Sequence, residues 1–363
     1  MNKKNLLVNR VTRILLATAT ITIATQAATN FTQTKLVADV AGVAANTDPN
    51  LVGTWGMSAS PTSPLWVSNA GNGTSTVYNT NTAGLVTTTV VTVPPSATRA
   101  GAMGLPSGQV WNGTGSFAVA TGHNASFIFA TLDGTISGFS GAVGTTAVLE
   151  VDNGAKGASY TGLAIGISSI GPTLYAANFA AGTIDVFDKT FAPATLWGNF
   201  TDPDLPAGMS PSNIQRFGRR LYVTYAMPDG NGSFVFGPGT GQVDVYSVEG
   251  ILEQRLIPGH ASMNAPWGVA VAGANFGVFS YSLLVANFGD GTISAFDLNS
   301  GNYLGTMQDG AGNNISIDGL WGIQFGNGGN GGDPTALYFV AAPNGGMHGL
   351  LGSLKPMSDS NTP

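Results

Sequence analysis

One segment of fifteen residues occurs three times along this chain. Its copies read LWVSNAGNGTSTVYN, LYAANFAAGTIDVFD and LLVANFGDGTISAFD, and they begin at residues 65, 174 and 283, which are 109 residues apart. The last two copies agree at nine of their fifteen positions. Regular internal repetition is typical of folds that stack one supersecondary unit many times. The repeat therefore constrains the fold before composition does.

Each 109-residue interval divides into two units. Weaker copies of the segment lie at 126–140, at 221–225 continuing at 241–247, and at 337–350. A second motif precedes each copy, and its anchors are Trp55, Val110, Leu163, Ile214, Trp267 and Trp321. The anchors are about 53 residues apart, a length that fits one four-stranded blade. We predict an all-β, six-bladed β-propeller with four-stranded blades, whose inner strands begin at the W-G motif.

Composition agrees with strands joined by tight turns. The chain has 363 residues, of which 52 are Gly, 43% are hydrophobic and only 9% are charged. The recurring Gly before the third strand of a blade supplies the positive φ that short hairpins favour. A closed ring also needs a last outer strand, since an open ring leaves sheet edges exposed. The segment FTQTKLV at 31–37 is predicted to supply it.

The N-terminus has the pattern of a secretory signal peptide over 1–27: a basic region, an apolar stretch and small residues. We expect the propeller to span 28–355, a disordered tail to span 356–363, and the protein to be secreted or periplasmic. Removing 1–27 takes away four of the 13 basic residues and none of the 19 acidic residues, which leaves a net charge of −10. This balance disfavours nucleic-acid partners. No second apolar run is long enough to suggest a membrane span.

The longest irregular insertions indicate which face carries function. In a propeller of this order, the loops between strands two and three open on the same face as the loops between blades. The insertions fall in these loops, at 94–104, 201–211, 227–240, 258–264 and 308–318. Loops on a rigid scaffold often carry binding residues. We call this side of the molecule the insertion face and expect a partner protein, small molecule or glycan to bind there.

 

The Asn of each strong copy is the first candidate for a site. Asn69, Asn178 and Asn287 end the second strands of blades one, three and five, on the insertion face. A ring of three amides is suited to a hard cation such as calcium, or to a polar ligand. The alternative is local, because Asn often caps a turn through its own side chain. At the matching positions, the even blades carry Ala130, Tyr225 and Ala341.

Other candidates come from loops and from the three histidines. His260 lies in an interblade loop on the insertion face, and Asp318 is the one acidic residue that we nominate at the channel mouth. His348 is assigned to a third strand, as an ordinary strand side chain, and the third histidine is His123. Their spacing matches no compact zinc motif. The chain has no Cys, no G-x-S-x-G and no phosphate-binding loop motif.

Several segments in combination carry a resemblance to a known family. They are NLVGTWGMS, FIFATLDGTISGF, APWGVAVA, IDGLWGIQFGNG and APNGGMHGLLGSL, together with the second and third strong copies. Over residues 31–355 the chain resembles a bacterial family of secreted propellers of unassigned function, and more distantly it resembles NHL-type six-bladed propellers. The resemblance implies the fold, and it brings no catalytic residues with it.

Two classes of function remain open at this stage. The first is a non-catalytic binding or scaffold propeller outside the cytoplasm, monomeric and without a cofactor. The second is a metal-dependent enzyme, similar either to six-bladed lactonases that hold calcium in the channel or to NHL-type zinc lyases. The candidate calcium ligands are Asn69, Asn178, Asn287 and Asp318, whereas a zinc lyase requires the histidines to converge. The small number of acidic residues favours the binding protein.

Overall fold

The computed structural model describes residues 30–81, 85 and 89–357. The predicted signal peptide at 1–27 and residues 358–363 of the predicted tail lie outside the described residues. The chain begins with β1 (Phe31–Ala38) and the short β2 (Asn46–Thr47). No helix among the described residues is long and apolar enough to cross a membrane. The described helices are short 3-10 turns, at Ala97–Arg99, Gly141–Val143, Gly154–Lys156 and Gly277–Phe279.

The first three blades follow in chain order. The first blade contains β3 (Thr54–Ser58), β4 (Leu65–Asn69), β5 (Thr74–Tyr78) and β6 (Val90–Thr92). The second contains β7 (Pro106–Trp111) and, after the small hairpin of β8 (Ala118–Ala120) and β9 (His123–Asn124), β10 (Phe127–Thr131), β11 (Thr135–Phe139) and β12 (Val148–Asp152). The third contains β13 (Tyr160–Ser168), β14 (Gly171–Asn178) and β15 (Thr183–Phe187).

The remaining blades complete the ring. The fourth contains β16 (Ser210–Phe217), β17 (Arg220–Ala226), β18 (Gly241–Ser247) and β19 (Leu252–Ile257). The fifth contains β20 (Pro266–Val271), β21 (Ser282–Asn287), β22 (Ile293–Asp297) and β23 (Tyr303–Thr306). The sixth contains β24 (Leu320–Phe325), β25 (Leu337–Ala341) and β26 (Leu350–Pro356), with β1 as its outer strand. The predicted six-bladed, all-β propeller is confirmed. Its blades have four strands, except that the third has three and the sixth has the short β2 as a fifth strand beyond β1.

The N-terminal strand closes the ring as predicted. β1 runs antiparallel to β26, in a register that begins with Phe31 opposite Pro356. The Phe31 ring packs against Phe276 and Phe279 of the fifth blade, at centroid distances of 5.0 and 5.8 Å. This strand therefore joins the sixth blade to the fifth through side chains as well as backbone. β26 continues to Pro356, one residue beyond the predicted boundary at 355.

Glycine allows the inner strands to meet around the axis. A Cβ on Gly108 would lie 2.7 Å from the backbone of Gly162, and one on Gly268 would lie 2.4 Å from the Trp321 carbonyl oxygen. Such contacts are too short for any side chain, so the position favours Gly in five of the six blades. These glycines are Gly56, Gly108, Gly162, Gly268 and Gly322, and the fourth blade has Asn213 instead.

Three of the predicted inner-strand anchors were displaced by two or three residues. Strand pairing aligns Trp55 with Ser107, Thr161 and Ser212 in blades two to four, rather than with Val110, Leu163 and Ile214. Their hydroxyls donate to backbone carbonyls, as Ser212 Oγ does to Pro266 O at 2.7 Å. Because these small polar residues replace Trp, the W-G motif disappears from the sequence although the strand remains.

Candidate ligand-binding pocket on the insertion face

A cavity of about 550 Å³ opens at the centre of the insertion face. We call it the mouth pocket. Its walls are mainly aromatic, and small residues such as glycine form much of the remaining lining. The aromatic residues that line it are Trp55, Phe234, Phe236, Phe288 and Trp321. Its volume falls in the range of small-molecule sites, which are typically concave and mostly apolar.

The aromatic wall is a continuous cluster of rings. Trp321 is stacked between Trp55 and Phe288, with both centroid distances at 3.8 Å and both interplanar angles at 18°. Phe234 lies 5.6 Å from Trp321 and 5.8 Å from Phe288. Phe236 extends the cluster towards solvent, lying 5.5 Å from Phe288 with 54% of its surface exposed. Ring pairs of this kind hold one another in place, so the pocket has a rigid wall and one accessible ring at its rim.

Different elements deliver these rings to one place. Trp55 and Trp321 lie on inner strands, and Phe288 follows directly after the Asn that ends β21. Phe234 and Phe236 lie on the 227–240 insertion between β17 and β18. The insertion expected to carry function therefore reaches the axis and supplies two of the five rings.

Local hydrogen bonds hold that insertion in shape. Asp229 Oδ1 accepts the backbone N–H groups of Asn231 and Ser233 at 2.7 and 3.0 Å. These backbone donors lower the pKa of Asp229, because they stabilise its charged form. Further along, Gly237 N–H donates to Asn264 Oδ1 at 2.9 Å, which ties the insertion to the loop before the fifth blade.

Asp318 lies at the mouth pocket, where the sequence placed it. Among the described residues that line the pocket, it is the only ionisable one. Its side chain is exposed, and Oδ2 accepts the Asn344 backbone N–H at 2.8 Å. The pocket thus combines an aromatic wall with a single negative charge, which favours neutral or cationic ligands.

None of the three repeated asparagines lines the mouth pocket. Asn178 Oδ1 accepts the backbone N–H groups of Ser159 and Ala181 at 3.2 and 3.3 Å. Asn287 Oδ1 accepts Asn264 N–H at 3.0 Å, and its amide donates to Ser262 O at 2.8 Å. Each of these two side chains bonds within its own blade and the loop leading into it, an arrangement that favours the local-capping alternative over the ring of amides.

Asn69 also bonds locally in the first blade, but only through its amide nitrogen. Its Nδ2 donates to Thr76 Oγ1 at 3.0 Å, whereas its buried Oδ1 has no hydrogen-bond partner among the described residues. Strand pairing also corrects its counterpart in blade two, which is Thr131 rather than Ala130. Thr131 Oγ1 accepts the Thr135 N–H at 2.9 Å. A short polar side chain at this strand end therefore braces the turn in an even blade too.

Tyr225 belongs to a buried polar network rather than to the mouth pocket. Its hydroxyl lies 2.8 Å from that of Tyr246, and Gln242 Nε2 donates to Asp202 at 3.0 Å and to Asp244 at 2.8 Å. Burial, reinforced by the nearby Asp202 carboxylate, raises the pKa of Asp244 to about 7. Asp202 comes from the 201–211 insertion, so the network fastens that insertion to the fourth blade.

Arg255 supplies a positive charge beside the carboxylates of this network. Its Nε donates to Asp202 Oδ2 at 2.7 Å, and its Nη2 bonds both Asp202 and Asp204. Hydrogen bonding to this guanidinium lowers the pKa of Asp202 to about 2. One carboxylate of the network is thus held in the charged form, while the other is held towards the neutral form.

The histidines lie apart from the mouth pocket and from one another. His260 Nδ1 is 2.8 Å from Ser262 Oγ, and its ring stacks on Tyr303 of outer strand β23 at 4.7 Å. His348 Nδ1 bonds Asp39 Oδ2 at 2.8 Å. It precedes β26 instead of lying within it. The residue of the sixth blade that is equivalent to Thr76 of the first blade is Gly352. His123 is exposed on the small hairpin β8–β9.

The metal-site candidates consequently stay apart. Of the four proposed calcium ligands, only Asp318 lines the mouth pocket. In the ranges 30–81 and 89–357, no three His, Asp or Glu side chains come close enough to form a metal-binding group. The geometry of these residues therefore does not favour either metal-enzyme hypothesis.

Sequence reasoning missed most of the aromatic wall. Trp55 and Trp321 were predicted only as anchors of inner strands, and Phe234, Phe236 and Phe288 were not singled out. One signal was present, since the residue after the repeated Asn is Phe179 in blade three and Phe288 in blade five. Phe179 also joins the cluster, 4.6 Å from Phe234. The turn residue beside each Asn, rather than the Asn itself, points towards the axis.

Comparison with known proteins identifies relatives in a giant virus. The chain is 30% identical over 331 residues to uncharacterized protein R648 of Acanthamoeba polyphaga mimivirus, covering 88% of this chain and 78% of that protein. It is 31% identical over 324 residues to uncharacterized protein L690 of the same virus, covering 86% and 82%. The chain belongs to the family of these mimivirus proteins. They do not support the expectation of a bacterial family. No family model matches the chain.

A third relative, uncharacterized protein R640 of the same virus, is 34% identical over 206 residues, and the match spans only 38% of its length. Among solved structures, a streptogramin B lyase is similar with a TM-score of 0.48 and 13% identity, over 91% of this chain and 99% of that one. The calcium-binding protein regucalcin from Agrobacterium tumefaciens is similar with a TM-score of 0.45 and 12% identity, over 84% and 90%. At these values, neither structure indicates a ligand or an activity for this chain.

Proposed function

We propose that this protein is a non-catalytic binding propeller that acts outside the cytoplasm and holds a small neutral or cationic ligand in the mouth pocket. One observation carries the proposal: five aromatic rings and a single carboxylate line a pocket at the centre of the insertion face. A ligand with a flat apolar face, such as a sugar ring, gains by stacking on Phe236 or Phe288. A ligand cation gains from the ring faces and from Asp318.

The lining also supports binding over catalysis. General acid–base chemistry needs a titratable group within reach of the substrate, and usually a second group of matched pKa. Asp318 is exposed, and no second ionisable side chain among the described residues lines the pocket with it. A fixed aromatic surface with one charge is sufficient for recognition, because a preformed pocket avoids the entropic cost of ordering on binding.

A ligand panel tests the proposal directly. Isothermal titration would compare neutral oligosaccharides and choline with uronic-acid oligosaccharides of the same length. We expect saturable binding by at least one neutral or cationic compound, accompanied by a change in tryptophan fluorescence as Trp55 is covered. Binding restricted to the anionic compounds would contradict the proposed pocket chemistry.

The export part of the proposal rests on the N-terminal sequence. Its test is expression of the full chain in a bacterial host, followed by fractionation and mass spectrometry of the intact protein. We expect the mature protein in the periplasm or medium, beginning at Ala28. Retention of an uncleaved chain in the cytoplasm would contradict it.

A further inference from the structure

The third blade lacks the outer strand that completes the other five. Beyond β15, the chain turns back and forms a short antiparallel bridge, Phe187 opposite Pro193, in which Ala194 N–H donates to Val186 O at 2.9 Å. It then departs, so the outer position of the blade is open only beside residues 183–185. It is bound instead to the fourth blade, where Gly198 N–H donates to Glu249 O at 2.8 Å and Phe200 N–H to Gly250 O at 2.9 Å. The missing strand is thus a consequence of a segment fastened elsewhere.

Backbone groups on the β15 edge are left without partners. The Val186 carbonyl faces outward, so the alternation of an antiparallel ladder also turns the N–H and C=O groups of Ile184 outward. Neither they nor the Gly182 carbonyl have a partner among the described residues. The equivalent carbonyls of Gly73, Gly134 and Gly291 each accept a backbone N–H, from Val93, Asn153 and Ile317.

The side chains on the β15 edge are also less covered than their equivalents in another blade. Ile184 and Val186 are only half-buried, whereas the equivalent Ile293 and Ala295 of the fifth blade are 1% and 0% exposed. A slot of about 600 Å³ runs along β15, with the 193–200 segment as its opposite wall. Because the slot is walled on both sides, it admits a single extended strand more readily than the edge of a second propeller.

Charge distinguishes the two ends of the slot. Lys156 lies at its insertion-face end, where its Nζ contacts only the neutral Asn153 Oδ1, at 3.0 Å. The other charged residue in the lining, Asp185, is already satisfied by donors from Tyr160, Asn178 and Thr183. A strand antiparallel to β15 would end beside Lys156. An acidic residue at the C-terminal end of that strand would therefore complement the slot.

We propose that the slot is a docking site for an extended peptide of a partner protein, which adds to β15 as the fourth strand of the blade and ends on an acidic residue beside Lys156. Strand addition of this kind derives affinity from main-chain hydrogen bonds and specificity from alternate side chains. β12 of the second blade offers a template for such a strand: its last residues, LEVD at 149–152, pair with the equivalent edge of β11 and end on Asp152, opposite Thr135.

The probe is a fluorescently labelled peptide, LEVD, titrated into the intact protein and followed by anisotropy; it is short enough to end before Ala194. We expect saturable binding and slower amide hydrogen exchange at Ile184. In the β12 register, the valine of the probe lies opposite Ile184, as Val151 does opposite Ile136. N-methylation of that valine removes one main-chain bond and should weaken binding about tenfold. N-methylation of the C-terminal aspartate is the matched control, because its equivalent Asp152 lies opposite Thr135 between the hydrogen-bonded pairs and its N–H points away from the edge.

Reversing the charge of Lys156 provides an independent test of the proposal. Lys156→Glu should weaken binding about fivefold, the scale of a surface ion pair, whereas Lys189→Glu outside the slot should leave it unchanged. Absence of saturable binding, or binding indifferent to methylation of the valine, would overturn the proposal. A dimer in sedimentation velocity that the peptide dissociates would also overturn it, because the occupant would then be a second copy of the chain.

Discussion

Asn178 shows what the repeated asparagine contributes at the scale of a single residue. Its side chain joins the loop before the third blade to the turn after β14 and to Asp185, through the Ser159 N–H, the Ala181 N–H and the carboxylate. Replacing it with Ala leaves these partly buried groups short of partners. We expect Asn178→Ala to lower the free energy of unfolding by about 1–3 kcal/mol, measured by urea denaturation.

The matched control is Asn199→Ala, since Asn199 is exposed and lies outside the strands. It should change stability by less than about 0.5 kcal/mol. An Asn178→Ala protein as stable as the control but defective in ligand binding would contradict the capping role and restore the hypothesis of a ligand site.

The raised pKa of Asp244 predicts that the stability of the protein depends on pH. Burial raises its pKa to about 7 in the folded protein, from an ordinary value of 3.8. The folded state therefore keeps the proton while the unfolded chain loses it, and stability falls as pH rises from about 4 to about 7. The full loss is on the order of 4 kcal/mol as an upper bound. Asp244→Asn should remove this slope and stabilise the protein at pH 8, as measured by urea midpoints across pH.

Asp202 has the opposite effect on the pH dependence of stability, and its effect falls in a different pH range. Its pKa is lowered to about 2, so its contribution is present above about pH 4 and is lost as pH falls towards 2. The pH ranges over which Asp244 and Asp202 affect stability do not overlap, so the two effects can be measured separately. An Asp244→Asn protein that kept the wild-type slope between pH 4 and 7 would show that another group titrates there.

At the scale of elements, the inner strands depend on glycine because their backbones meet at the axis. A Cβ at Gly108 would lie 2.7 Å from the backbone of Gly162 and Leu163, which has no side-chain end that could move aside. We expect Gly108→Ala to destabilise the protein by about 1–3 kcal/mol, through strain between blades two and three. Gly273→Ala is the control, because no atom lies within 4 Å of its Cβ position. Equal urea midpoints for the two variants would contradict this account of the axis.

The same scale shows where sequence reasoning succeeds. The hairpins after Asn69, Asn178 and Asn287 were predictable because Gly73, Gly182 and Gly291 adopt the positive φ, near 70°, that the turn requires. The inner strands of blades two to four were misaligned because Ser107, Thr161 and Ser212 carry no aromatic signal. The three-stranded third blade was not predictable, since its missing strand results from contacts that 196–200 makes with the next blade.

At the scale of the whole molecule, ring closure depends on one strand from the start of the described chain. Phe31 is 1% exposed and packs between the fifth and sixth blades. We expect Phe31→Ala to cost about 3–5 kcal/mol, the range for a large buried ring, and to lower the thermal midpoint. Thr32→Ala, at an exposed position on the same strand, is the control. An unchanged midpoint for Phe31→Ala would mean that the ring does not depend on this closure.

The architecture could be predicted from the sequence because all six blades use one pattern. The site could not be predicted in this way. Phe234 and Phe236 lie in an insertion that no other blade has, so no repeat marks them. Trp55 and Trp321 follow the repeat and still line the pocket, since the axis is both core and site. Asp318 was found because acidic residues are scarce enough for one in an interblade loop to stand out.

The most direct test of the account compares ligand binding by two variants that each remove one exposed aromatic ring. Phe236→Ala removes the accessible ring of the mouth pocket, and Trp197→Ala removes a ring that is 85% exposed and lies outside it. For a neutral or cationic ligand found by titration, we predict that Phe236→Ala weakens binding about tenfold, consistent with the loss of one stacking contact. Trp197→Ala should leave the Kd unchanged. Wild-type affinity in Phe236→Ala, or a loss in Trp197→Ala alone, would contradict the assignment of the mouth pocket as the binding site.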